Sequence, residues 1–324
     1  MKSKTRVSAP GKLMLFGEHA VVYGRPCIVT AVDQRISVEI NLMEGSNIEL
    51  KAPDVQIKSF KAGVTTPMDE LPKGASFVFT AVKNFFKEYK ISSGLKITTK
   101  SDFSSKFGFG SSSAVTVCVV KGLSELFEIR ISNRKMFDIC YKTVLDVQGV
   151  GSGFDLAAAI WGGTVYFVGG GKKIIPLKVG KLPLVVGYTG IKADTATLVR
   201  QVGLLFKENK KRISEVFDLI GFVVEDARKA LLGSGFVKLG KLANINQGLL
   251  ESLTVNTTEL SSLIFAARSA GASGAKLSGA GGGDCMIAFS DNKARIAVEK
   301  AISKKGGMVI HVKTGAKGVR IEKA

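Results

Sequence analysis

The chain is poor in the residues that most often build redox and metal centres. Its 324 residues include two histidines, His19 and His311, and four cysteines, Cys27, Cys118, Cys140 and Cys285. The cysteines lie far apart with no CxxC pair, which argues against a zinc ribbon or a disulfide framework, and two histidines do not suffice for a histidine-based metal centre. Three of the thiols sit in apolar runs and read as small buried hydrophobes. No uncharged apolar run approaches the about 18 residues of a membrane-spanning helix. The basic start, Met1 to Arg6, is followed by no signal-type apolar segment. A cytoplasmic protein without a membrane partner is the expectation. Acidic residues are scarce beside basic ones, 27 against 46, for a formal net charge of +19. That excess suits either a nucleic-acid surface or a protein that handles small polyanions. The basic residues are scattered, as at Lys207, Lys210, Lys211 and Arg212, without a long basic tail or aromatic-basic interleaving. We therefore expect no nucleic-acid partner; solvated helix faces account for most of the charge.

What is present is a large apolar fraction, 45%, in a chain longer than one core usually serves. Two domains are expected, 1–170 and 171–324, joined near Gly169 to Lys173. Short β-type runs open the sequence at Thr5 to Ala9, Cys27 to Val32, Ile36 to Leu42 and Ile48 to Ala52. A helical repeat of Val78, Val82, Phe85, Phe86 and Tyr89 follows, then a strand at Leu95 to Thr99. Further helices are predicted over Ala114 to Leu126 and, with Asn133 as N-cap, to Val147. The second half mixes helices (194–206, 213–232, 236–253, 257–270, 292–304) with strands at 184–189, 275–277, 285–289 and 308–312.

Between the strand at Leu95 and the helix at Ala114 lies Lys106-Phe107-Gly108-Phe109-Gly110-Ser111-Ser112-Ser113. Glycines let the backbone approach a bulky anion, while the free N–H groups and dipole of the following helix point at it. Hydroxyls add donors or magnesium ligands. The run lacks both a third glycine at dinucleotide-fold spacing and a terminal Gly-Lys-Ser/Thr, so alone it could be a serine-capped loop. It has company in Ala9-Pro10-Gly11-Lys12 and in Ser278-Gly279-Ala280-Gly281-Gly282-Gly283-Asp284.

These three glycine-rich motifs, in this order and across nearly the full length, resemble those of the GHMP kinase superfamily. The resemblance implies an α+β protein of two domains, an N-terminal ribosomal-S5-like α/β domain and a C-terminal ferredoxin-like α/β domain, with the active site in the cleft between them. It implies ATP and Mg2+ as cofactors and, as a leading guess, a homodimer. Lys106, Gly108, Gly110, Ser111, Ser112 and Ser113 would cradle the nucleotide with Gly279, Gly281 and Gly282. Ser112 matches the magnesium-binding serine, with Ser111 close behind. The glutamate that accompanies it about three helical turns before the catalytic aspartate does not carry over: Val144 stands there, and Asp146 is the nearest carboxylate.

Lys12 and Asp155 match the catalytic pair. A lysine after a Pro-Gly turn can favour a developing negative charge, and an aspartate after Gly151-Ser152-Gly153 can take a hydroxyl proton. Asp155 as a plain helix N-cap and His19 as a hydrogen-bonded wall residue are the bland alternatives. The run Phe16-Gly17-Glu18-His19-Ala20-Val21-Val22-Tyr23-Gly24 resembles mevalonate kinases, whose acceptor pocket would take Glu18, His19, Gly153 and Thr189. The segment Gly151 to Asp155 and the pair Gly283-Asp284 instead resemble phosphomevalonate kinases. We rank transfer to the 5-hydroxyl of mevalonate first, 5-phosphomevalonate second, diphosphomevalonate decarboxylation third and a basic nucleic-acid binder last. A phosphorylated acceptor carries about two more negative charges and needs additional Lys or Arg, for which Lys106, Lys192 and Arg200 are eligible. The segment Gly190 to Thr195 is a further candidate acceptor loop, or merely a turn capped by Asp194.

Overall fold

The computed structural model describes residues 2–72, 74–104, 106–233 and 235–323. Strands β1 (Lys4–Phe16), β2 (Pro26–Met43), β3 (Asn47–Ala52), β4 (Ile57–Gly63), β5 (Gly94–Ser101), β6 (Thr164–Val168) and β7 (Lys173–Leu177) belong to one sheet. A smaller antiparallel sheet holds β8 (Leu184–Tyr188), β9 (Gly274–Ser278), β10 (Cys285–Phe289) and β11 (Met308–Ile310), in the order β11-β8-β10-β9. The chain then returns: β12 (Arg320–Ile321) pairs with β1 at the edge of the first sheet.

The long strand β2 organises the first sheet. Its N-terminal part, Pro26 to Thr30, pairs with β6, its C-terminal part, Ile36 to Met43, pairs with β5, and nearly all of it lies along β1. Helices α1 (Ser76–Tyr89), α2 (Ser111–Leu126), α3 (Asn133–Gln148) and α4 (Phe154–Trp161) pack against one another and, through α2 and α4, on β1 and β2. Their apolar residues, among them Val82, Phe85, Val117, Leu123, Phe137 and Leu156, are buried, each contributing about 1.5–3 kcal/mol on leaving water. Helix α5 (Thr195–Glu208) packs on α6 (Lys210–Leu232), which lies against α7 (Phe236–Ser252) and β2. With α8 (Thr258–Ser269) and α9 (Arg295–Lys304), α7 packs on the smaller sheet, where Leu263, Leu277, Met286 and Val298 close a second core.

Three expectations are corrected. The expected Pro10-Gly11 turn is extended strand: the register with β2 shifts between Pro10 and Gly11, where Asp33 and Gln34 of β2 have no partner in β1, so β1 runs through Lys12 to Phe16 instead of ending at Ala9. Proline, lacking an N–H, is tolerated at such an irregularity. The cap of α3 is Ser132, whose Oγ accepts the Lys135 N–H at 3.1 Å; Asn133 is already helical. The expected junction at Gly169 to Lys173 does not end the first sheet, because β7 pairs with β6 beyond it and β12 rejoins β1. A cut at 170/171 therefore separates paired strands.

Candidate active site

The close approach at Gly11 sets the site's first side chain. A Cβ on Gly11 would stand 3.2 Å from the Phe109 carbonyl oxygen and 3.3 Å from the Phe103 ring, so a larger residue would push the central loop away from β1 by a few tenths of an ångström. The Lys12 N–H then donates to Phe109 O at 3.0 Å. From there the Lys12 side chain reaches the mouth of the loop, where Nζ donates to Gly108 O at 3.0 Å and meets Asp155 Oδ1 at 3.1 Å. It also lies 5.1 Å from the centre of the Phe154 ring.

Two helices start here. α2 begins three residues earlier than the periodicity suggested, at Ser111, after Gly110 in the left-handed region (φ 76°). Ala114 N–H to Gly110 O is its first turn's bond, so the N–H groups of Ser111, Ser112 and Ser113 precede the intrahelical ladder. α4 begins at Phe154 after Gly153 (φ 88°), with Asp155 in its first turn. The segment before it is fixed by Tyr141, whose hydroxyl donates to Gly151 O at 2.9 Å, and by Gly170 N–H to Ser152 O at 3.0 Å. Two positive helix ends thus meet at one cavity.

That cavity has a volume of about 280 Å³ and is lined by Lys12, His19, Gly108 to Ser113, Val144, Gln148, Val150 to Leu156, Thr195, Ala196, Val199, Gly279, Ala280 and Asp284, among others. Residues from both sheets seal it. Ser278 Oγ bridges the β1 backbone, accepting Met14 N–H at 3.1 Å and donating to Met14 O at 2.9 Å. His19 Nε2 lies 2.8 Å from Ala280 O; a carbonyl only accepts, so Nε2 carries the hydrogen. Burial pushes the His19 pKa down against that hydrogen bond, favouring the neutral ring.

Several residues anticipated from the sequence stand elsewhere. Glu18 is fully buried behind the wall, paired with Lys276 and near Asn246 Nδ2 at 3.4 Å, so it does not line the cavity. Thr189 turns into its own loop, accepting the Ile191 N–H at 3.2 Å. Lys106 is exposed and outside the lining, as are Lys192 and Arg200. Of the third motif, Gly279 reaches the cavity while Gly281 and Gly282 pack behind it, with Gly282 N–H on Val255 O at 2.8 Å. Asp146 faces the other side of α3, held by Asn84 Nδ2 at 2.9 Å and by Lys142, while Val144 does face the cavity.

Asp284, Gln148 and Ala196 are lining residues not singled out from the sequence as site residues, while of the candidate acceptor loop Gly190 to Thr195 only Thr195 reaches the cavity. Asp284 directly follows the third motif, and Thr195 opens the helix that Asp194 caps, so their signals were adjacency to motifs already noted. Burial raises the Asp284 carboxyl pKa above its ordinary value, against the Ala193 N–H and the charges of Lys12 and Lys192, which lower it.

A lysine paired with an aspartate beside two helix N-termini, on a loop shaped for anions, is the arrangement of a small-molecule kinase. Residues 76–163 match the model of the GHMP kinases N terminal domain and residues 227–307 that of the GHMP kinases C terminal. The chain belongs to the GHMP kinases, ATP-dependent enzymes acting on small molecules. Among its relatives, "Mevalonate kinase" of Pyrococcus abyssi is 37% identical over 97% of both chains. "Mevalonate kinase" of Thermococcus sibiricus is 36% identical over 97% of both. The crystal structure of L. major mevalonate kinase in complex with R-mevalonate superposes with a TM-score of 0.79 at 25% identity, covering 98% of each chain.

Proposed function

We propose that the protein transfers the γ-phosphoryl group of ATP to the 5-hydroxyl of mevalonate. The observation that carries the reading is Lys12 Nζ held 3.1 Å from Asp155 Oδ1 at the converging starts of α2 and α4. In the step, the acceptor oxygen bonds to the γ-phosphorus as the bond from that phosphorus to the β,γ-bridging oxygen breaks. The hydroxyl proton passes to the Asp155 carboxylate, and ADP leaves with the bridging oxygen. Lys12 lies where negative charge spreads onto the transferring group, and positioning with charge stabilisation does most of the work. The N–H groups of Ser111 to Ser113 receive the nucleotide phosphates. Neutral His19 and the first turn of α5 border the acceptor.

The residues fit a divalent cation. Ser111 and Ser112 line the cavity beside the Asp155 carboxylate, and hard oxygen donors of this kind suit magnesium. Ser112 and a carboxylate would hold it, and when bound it neutralises phosphate charge.

Mevalonate is favoured over 5-phosphomevalonate by charge. Lys12 is the one lysine lining the cavity among the described residues, no arginine does, and Lys12 already faces Asp155. A second phosphate would enter unpaired. The names of the relatives point the same way. We further place the enzyme in the cytoplasm as a homodimer: its free, buried thiols suit a reducing compartment, and exposed Phe222 and Val237 offer apolar surface to a second subunit. ADP release, followed side by side with mevalonate, 5-phosphomevalonate and 5-diphosphomevalonate, tests the assignment. Turnover confined to mevalonate supports it, and faster turnover with 5-phosphomevalonate would overturn it.

A further inference from the structure

Helix α3 presents Val144 and Gln148 to the cavity, and its Asp146 is engaged on the opposite side. Among the described lining residues two carboxylates remain, Asp155 and Asp284, and they bracket the central loop. A Cβ on Gly110 would lie 3.3 Å from Asp155 Oδ1, and a Cβ on Gly108 would lie 2.6 Å from Asp284 Oδ2. The Lys12 ammonium is taken up on the Asp155 side, by Gly108 O and Asp155 Oδ1.

Asp284 is held in an uncommon way. Its φ of 53° is in the left-handed region, which aspartate tolerates better than most side chains. Its N–H donates to Ile191 O at 2.8 Å and its carbonyl accepts the Thr189 N–H at 3.0 Å. Oδ1 accepts the Ala193 N–H at 2.9 Å. Oδ2 has no hydrogen-bond or ion-pair partner among the described residues, although the residue is only 8% exposed, and it is aimed at the glycine loop. Three hydrogen bonds to the loop at 189–193 thus fix a half-satisfied carboxylate where it meets the central glycine loop. Such a group is costly beside a bound triphosphate unless a cation stands between them.

We propose that Asp284 supplies the acidic ligand for the divalent cation that accompanies the nucleotide, in place of a carboxylate on α3. The proposal rests on the kinase reading above. It makes the residue after the third glycine motif a metal ligand and assigns the loop at 189–193 the task of orienting it.

The test is Mn2+ binding, read by electron paramagnetic resonance, to the full-length protein with and without the non-hydrolysable ATP analogue AMPPNP. Asp284→Asn keeps an oxygen for the Ala193 N–H and removes the charge. Its Mn2+ affinity in the AMPPNP complex should fall by about 10- to 100-fold, while AMPPNP binding in EDTA is retained or strengthened and reports a folded protein. Should that variant fail to bind AMPPNP in EDTA, Asp284→Ser carries the same measurement. Asp146→Asn should leave Mn2+ affinity unchanged. Unchanged affinity in Asp284→Asn, or a loss confined to Asp146→Asn, overturns the proposal. Failure of the unaltered protein to bind AMPPNP with or without Mn2+ would instead overturn the kinase reading itself.

Discussion

Glu18 and Lys276, 258 positions apart in the chain, form an ion pair in which neither side chain is exposed to solvent. The pair joins the segment after β1 to β9, directly behind the wall that carries His19 and Ala280. Burial lowers the Lys276 pKa, and the facing Glu18 carboxylate raises it again. Its worth is therefore mutual: removing one partner strands a charge in the interior. Glu18→Ala or Lys276→Ala should each cost about 3–5 kcal/mol in urea denaturation, whereas Glu18→Leu combined with Lys276→Met should cost far less than the two single changes added. Additive losses would count against a coupled pair.

Asp155→Asn is expected to preserve the fold and nucleotide binding while lowering kcat by about 10²- to 10⁴-fold, the usual contribution of a positioned proton acceptor. Near-normal turnover would reject Asp155 as the base and return it to a helix-terminal role.

Lys12→Met should slow the chemical step more than it weakens ATP binding, because the ammonium is anchored at Gly108 O and Asp155 and not on a distant part of the nucleotide site. Single-turnover quench-flow separates the two effects. An unchanged chemical rate with a raised KM for ATP would contradict it.

Gly110→Ala should damage the site directly. The residue has φ 76°, and an added Cβ would press at 3.3 Å on both Asp155 Oδ1 and the Lys12 side chain. We expect a loss of more than about 1 kcal/mol of stability together with a large fall in kcat, read from thermal melting and steady-state assays. Gly149, also at positive φ but with nothing within 4 Å of an added Cβ, is the control that should keep activity.

Asp284→Asn should melt at a higher temperature than the unaltered protein at neutral pH. The folded-state pKa of Asp284 lies above the ordinary 3.8, so the native state binds its proton more tightly than the unfolded chain does. Stability falls as pH rises through the window above 3.8, and the full penalty persists beyond it. Below pH 3.8 the advantage of the asparagine variant should vanish. Melting curves across this range check the sign.

Most elements were legible because their periodicity is strong: the stripe Val78, Val82, Phe85 and Phe86 is buried in α1 as expected. The breaks were misjudged where glycine and proline carried two meanings. Pro10-Gly11 reads as a turn in one dimension, yet β1 runs straight through it, with the irregularity taken up on β2 and the Phe109 backbone packed close against Gly11. Gly169 to Lys173 reads as a linker for the same reason, yet β7 extends the sheet beyond it. Lys12, Gly108, Gly110 and Asp155, which the motif spacing pointed to, line one cavity, whereas the side on which a residue faces was not legible. Glu18 and His19 are neighbours, and an unusual backbone at His19 (φ 58°) sends one ring to the cavity while its neighbour's carboxylate goes into the interior. That Asp284 meets the Gly108 loop depends on a contact between residues far apart in sequence, which no local pattern reports.

The pairing of β12 with β1 closes one edge of the first sheet with residues far along the chain. On that edge Val7 and Ser8 of β1 find their partners in Ile321 and Arg320. Until that contact forms during folding, this stretch of β1 presents unpaired backbone groups, an open template for another chain. Growth rate, crowding and chaperone supply therefore bear on the yield of active enzyme through this one edge, independently of how stable the finished protein is.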